Sequence, residues 1–251
     1  MTSLLSGTCV VVLRSDHWIV IAADTLLKAM GPERKLIRVN EGKKIHKLDS
    51  ARVWLALSGL DTASRGLDTI ALANDAFSKG RRFSEAVEQF GQEWRKELGP
   101  ILTTLLDRKY DMDTLCTNGC IFAGFENANP IAVALGIRAT PDDRSGLRLL
   151  PTSRYDLDSG WKAIVVGHRQ TIARCLGDFL RADPPLWVDE PERYAGLMIA
   201  LEAYSNPENV ALPATIVRIN RADESYQTKD ALTDDDRSWF RMLGLSRTLP
   251  R

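Results

Sequence analysis

Residues 8–24 read TCVVVLRSDHWIVIAAD, two apolar and largely β-branched runs around a short polar turn. Residues 8–13 and 18–23 have the composition of strands, and Arg14-Ser15-Asp16-His17 has that of a turn. Together they predict a β-hairpin. Both runs are apolar at nearly every position, which implies a sheet covered on both faces. With the turn over residues 14–17, cross-strand partners sum to about 31, and Thr8 lies opposite Ala23 or Asp24. A hydroxyl and a carboxylate then stand side by side at the open end of one hairpin. Taken alone, the pair is equally at home as a strand residue and a loop-capping acid.

Working outward, a polar loop with Gly31-Pro32 leads to a second hairpin. There residues 43–48 pair with 52–58 across Asp49-Ser50-Ala51, and Gly59 closes the unit. Leu67, Ile70, Ala71, Asn74 and Phe77 keep helical spacing, with Gly80 as the stop. Ser84 is placed to cap a second helix, whose face is Val87, Phe90, Trp94 and Leu98 and which breaks or kinks at Pro100. Strands return at 120–125, 130–137 and 161–166. Ile172, Leu176, Phe179 and Leu180 line a third helix that stops before Pro184-Pro185. Pro191 suits the first turn of a fourth, with Tyr194, Leu197, Met198 and Leu201 inward. A strand at 214–219 and a short helix opened by Thr233 and Asp234-Asp235-Asp236 complete the chain. Strands, paired helices, strands, paired helices and a strand imply an α+β fold with two facing sheets and helices outside.

The chain has 251 residues and no repeat, low-complexity tract or long linker, so one domain is expected. Its 33 basic and 33 acidic residues balance, which gives no electrostatic reason for nucleic acid or an anionic membrane as partner. No apolar run approaches the roughly 20 residues of a membrane span. Residues 1–7 are too short and lack the basic start of a secretory signal, so the expected location is cytoplasmic. The four cysteines, at 9, 116, 120 and 175, form no disulfide framework, and the Cys116–Cys120 spacing lacks the second pair of a zinc site. No metal or other cofactor is expected. His17 and His46 read as structural, and the six tryptophans are scattered as packing residues.

Gly7, just before Thr8, leaves the acyl side of that peptide bond open to an attacking hydroxyl. The segment Gly7-Thr8-Cys9-Val10-Val11-Val12, followed by Ile19-Val20-Ile21-Ala22-Ala23-Asp24, resembles the start of a proteasome β subunit. Gly42-Lys43-Lys44-Ile45-His46-Lys47-Leu48-Asp49 resembles the lysine strand of that family, and Ala56-Leu57-Ser58-Gly59-Leu60 its oxyanion-hole segment. The likeness covers roughly residues 7–80 and is architectural beyond. It implies a bacterial proteasome-related N-terminal-nucleophile hydrolase with a four-layer αββα sandwich. Residues 1–7 would be a removable leader and 8–251 the mature domain. Thr8 would be the nucleophile, with its own freed amine as base. Lys44 would supply positive charge, Asp24 would orient Lys44, and the Gly59 N–H would stabilise the oxyanion. The resemblance further implies a peptide or unfolded-protein substrate, a homo-oligomeric ring and a regulatory ATPase partner. Lys28, just after Asp24, would approach the substrate channel.

Three departures stand out. The loop between Asp24 and Lys44 is about four residues longer than the family pattern. In Val166-Gly167-His168-Arg169, histidine stands where the family has serine. In Tyr204-Ser205-Asn206-Pro207-Glu208, Ser205 stands where it has aspartate, and Glu208 is the nearest acid. His168 either replaces the serine as a hydrogen-bonding partner or caps the following helix. These departures keep two alternatives open, a catalytically inactive structural subunit and an amidase acting on a small amide. Thr2 is a rival nucleophile, but it is out of register with the hairpin.

Overall fold

The computed structural model describes residues 3–4, 8–30, 36–49, 52–59, 67–78, 80–107, 117–142 and 146–242. Gly7, Thr2, Gly31, Pro32 and Cys116 lie outside them. The fold is α+β, built on antiparallel sheets. A five-stranded sheet takes β2 (Cys9–Arg14) and β3 (Trp18–Asp24) at its centre. It adds β12 (Lys162–Gly167) beside β2, then β13 (Ala214–Asn220) and β14 (Glu224–Lys229) beyond β3. A six-stranded sheet runs from β6 (Ile45–Lys47) and β7 (Val53–Ser58) to β8 (Thr117–Glu126) and β9 (Asn129–Asp142). Both β10 (Gly146–Leu149) and β11 (Ser153–Leu157) pair with β9. A small third sheet orders β1 (Ser3–Leu4), β4 (Leu26–Met30) and β5 (Leu36–Glu41).

The unbroken apolar runs have a simple cause. Side chains alternate across a strand, and both faces of β2 and β3 are occupied. Val10, Val12, Ile19 and Ile21 share a core with Trp54, Ala56, Ile121 and Ala132 of the six-stranded sheet. Val11, Leu13, Val20 and Ala22 face helices on the other side. Those are α3 (Gln170–Arg181), α4 (Pro191–Ser205) and α5 (Asp234–Met242), which contribute Leu176, Leu197 and Phe240. The outer face of the six-stranded sheet packs Leu55, Phe122 and Leu135 against α1 (Thr69–Ser78) and α2 (Phe83–Asp107), through Phe77, Phe90 and Trp94. Among the described residues no helix is long and apolar enough to cross a membrane.

Several sequence expectations need correction. Val10 pairs with Ala23 and Arg14 with Ile19, so Cys9 is level with Asp24 and Thr8 lies one step beyond. Arg14 stays in the strand because its guanidinium donates to the carbonyls of Pro130, Asp158 and Gly160, which moves the turn on by one residue. The Ser15 hydroxyl then accepts from the backbone of His17 and Trp18 and closes it. The shift of two in pair sum preserves parity, so each side chain keeps its face. The expected loop after Asp24 is in part the hairpin β4–β5. Pro100 does not break α2, which is helical on both sides of it. Strands β10, β11 and β14 were not expected. They lie toward sheet edges; β10 is only four residues long, and β11 and β14 are mostly exposed, so they carry little apolar signal to read.

Candidate active site

The open end of the first hairpin gathers most of the residues singled out in the sequence. Thr8 follows the alternation of Val10 and Val12, which directs it toward the space between the sheets. It is 1% exposed, and its hydroxyl makes no hydrogen bond among the described residues. A buried polar atom left unpaired is uncommon and costs free energy, so it calls for a physical reason.

Asp24 ends β3 and is equally buried. One carboxylate oxygen accepts the backbone N–H of Cys9 at 2.9 Å, and the other accepts that of Leu26 at 3.1 Å. The Lys44 ammonium lies 3.0 Å from both oxygens. Asp24 therefore ties the peptide bond just after Thr8 to the lysine. Burial pushes the Asp24 carboxyl up and pulls the Lys44 ammonium down, while their contact opposes both shifts. Lys44 sits just ahead of β6, and its carbonyl accepts the N–H of Leu57 on the neighbouring strand. The lysine is thus fixed through its backbone as well as its charge.

Ser58 and Gly59 end β7, and both are buried. Gly59 has φ +108°, a conformation that favours glycine. Across from them, β12 brings Gly167 level with Cys9, and the His168 N–H donates to the Thr8 carbonyl at 2.8 Å. Gly167 also has a positive φ, +86°. A Cβ there would lie 1.7 Å from the Thr8 carbonyl oxygen and 2.7 Å from Ser58 Oγ. Thr8, Ser58 and Gly167 therefore meet at one point, and only glycine leaves the room.

The His168 imidazole is half-buried. Burial pulls it below the ordinary histidine range; Glu202 and Asp24 act against that, and Lys28 and Lys44 add to it. It does not cap α3. The N–H groups of Thr171 and Ile172 instead donate to the Glu202 carboxylate, at 3.1 and 3.2 Å. Asn206 donates to the other Glu202 oxygen at 2.6 Å and to the Thr171 hydroxyl at 3.3 Å. Glu208, the acid expected nearest the site, is exposed, and the Ser205 hydroxyl is buried without a partner among the described residues. Glu202 was missed in the sequence. Its signal was a lone acid within the otherwise apolar stretch AGLMIALEA of α4.

Lys28 lies on β4, half-buried, with its ammonium 2.7 Å from Asn209 Oδ1. Burial pulls it below the ordinary lysine range, against the pull of Glu208 and Asp24. On the same strand, Leu4 pairs with Lys28 and Ser3 with Ala29, so part of the segment ahead of Thr8 runs as a strand along β4. The arrangement thus offers a buried hydroxyl, a buried ion pair that holds the next backbone N–H, and a chain laid along a neighbouring edge. Compared with known proteins, the chain matches no family model and no curated protein.

Proposed function

We propose that the chain is a self-processing threonine hydrolase of the proteasome β type, with a four-layer αββα N-terminal-nucleophile fold. The observation that carries this is the unpaired, buried Thr8 hydroxyl beside an Asp24–Lys44 ion pair that also holds the Cys9 N–H. A hydroxyl kept out of hydrogen bonds, next to a fixed buried cation, suits a nucleophile awaiting its reaction. Attack of Thr8 Oγ1 on the Gly7 carbonyl carbon would break the Gly7–Thr8 C–N bond and pass the proton to the leaving amine. Water would then resolve the ester and release residues 1–7. The freed Thr8 amine would serve as base in later turnovers, since an α-amino group titrates near 7.7–8.0. Lys44 would hold positive charge near the reacting atoms, Asp24 would hold Lys44, and Gly59 would offer its N–H to the oxyanion. Peptide substrates, a homo-oligomeric ring, an ATPase partner and a cytoplasmic location follow from the family resemblance.

A second reading, an inactive structural subunit, is favoured by one observation. The positions resembling the second polar network of the family carry His168 and Ser205, and the latter's hydroxyl has no partner among the described residues. Intact mass of purified wild type beside Thr8→Ala separates the two. The expected outcome is loss of residues 1–7 from wild type and their retention in the variant. Full-length mass for both would leave the structural subunit.

A further inference from the structure

We infer that Glu202 is a positioning residue for the Thr8 site, a buried carboxylate that pins the first turn of α3 and through it the Gly167–His168 segment pressed on Thr8. This rests on the hydrolase reading for its effect on Thr8, but the geometry stands by itself. Glu202 is 0% exposed, and its surroundings on α4 are apolar. Among the described residues no lysine, arginine or histidine forms an ion pair with it. It is held by two α3 backbone N–H groups and the Asn206 amide. A charge is costly to bury without a counter-ion, and a helix N-terminus is where backbone N–H groups lower that cost.

The contact is transmitted over a short path. Thr171 and Ile172 are tied to Glu202, and three residues before Thr171 the His168 N–H donates to the Thr8 carbonyl. Gly167, one residue earlier, is so close to that carbonyl and to Ser58 that no methyl group fits. A displaced α3 start has no slack to absorb the movement before it reaches Thr8. The same carboxylate is the leading negative charge acting on the His168 imidazole. The other charges facing that ring are Asp24 at the end of β3, Lys28 on β4 and Lys44 ahead of β6. Glu202 and Asn206 bond the α3 start and each other, so any influence of theirs on Thr8 passes through that helix terminus.

The test compares full-length wild type, Glu202→Gln and the swapped pair Glu202→Gln/Asn206→Asp. In the single variant the charge is lost and Asn206 must turn its amide over to present an acceptor, giving up its donation to the Thr171 hydroxyl; the swapped pair places a carboxylate acceptor at 206. Two signals are followed. One is the pH titration of the His168 imidazole by NMR, assigned among the three histidines with His168→Gln. The other is the pH profile of leader removal by intact mass. In Glu202→Gln, His168 is expected to titrate at lower pH, because a negative charge that favours its protonation is gone. Leader removal is expected to slow on the order of 10-fold. The swapped pair is expected to recover most of the rate. An unchanged His168 titration, with slowing no greater than the loss of folded protein, would overturn the inference. If Glu202→Gln does not fold, the swapped pair carries the test: no recovered fold and no recovered rate also overturn it. If wild type itself keeps its leader, the hydrolase reading fails, and the backbone amide signals of Gly167 and His168 decide the role of Glu202: signals unmoved in Glu202→Gln overturn it.

Discussion

Asp24 and Glu202 are two buried carboxylates, and the fold satisfies them by different means. Asp24 faces a side-chain cation, Lys44, and accepts two backbone N–H groups, from Cys9 of its own hairpin and from Leu26 two residues on. Glu202 has no cation paired with it among the described residues. It is met by the first turn of one helix and by an amide from the end of its own. The first arrangement sets an ion pair against the peptide bond that follows Thr8. The second sets a carboxylate against a helix terminus. Pairing by charge and pairing by backbone are separated in this way.

The comparison breaks most sharply at Lys44. Lys44→Met leaves Asp24 buried without its cation, which is expected to cost about 3–5 kcal/mol. Denaturant unfolding checks this, and leader removal should stop. Adding Asp24→Asn should recover part of the stability and none of the cleavage, since the unpaired charge is gone but the cation is still missing. Asn206→Ala asks less of the structure. Glu202 keeps its two backbone donors and loses one amide, for about 1–2 kcal/mol by the same measurement. A larger loss for Asn206→Ala than for Lys44→Met would invert the contrast.

The smallest effect concerns pH. Burial lowers both His168 and His46 from the ordinary value of 6.5. Below that value the unfolded chain binds protons that the folded chain refuses, so stability declines as pH falls through 6.5. Thermal unfolding at pH 7.5 and 5.5 should show the decline. His168→Gln should flatten it in part, with His46→Gln removing a further share.

Half of this comparison was legible in the sequence. Hairpin spacing alone places Asp24 near Thr8, even with the register displaced by one turn position, while Lys44 was placed there by the family resemblance of its strand. Glu202 could not be read that way. Its partners are backbone groups about thirty residues away, and backbone donors carry no sequence signature. The central strands and the helices were legible because each buries a periodic apolar face. The strands β11 and β14 were not, because they bury little. His168 was legible as a position but not as a role. Its backbone reaches Thr8, while the capping expected of its side chain falls to Glu202.

The strand ahead of Thr8 has a consequence for exchange at the β4 edge. Ser3 and Leu4 pair with Ala29 and Lys28 while joined to the chain. A short covalent tether of this kind holds its segment at an effective concentration on the order of millimolar. Two paired residues are far too few to persist once the tether is gone, since even a complete two-stranded hairpin is marginal in water. Scission before Thr8 would therefore turn a resident strand into a weak, diffusible peptide. The bond that frees the amine would also vacate the neighbouring edge, leaving its backbone groups open to the next extended chain.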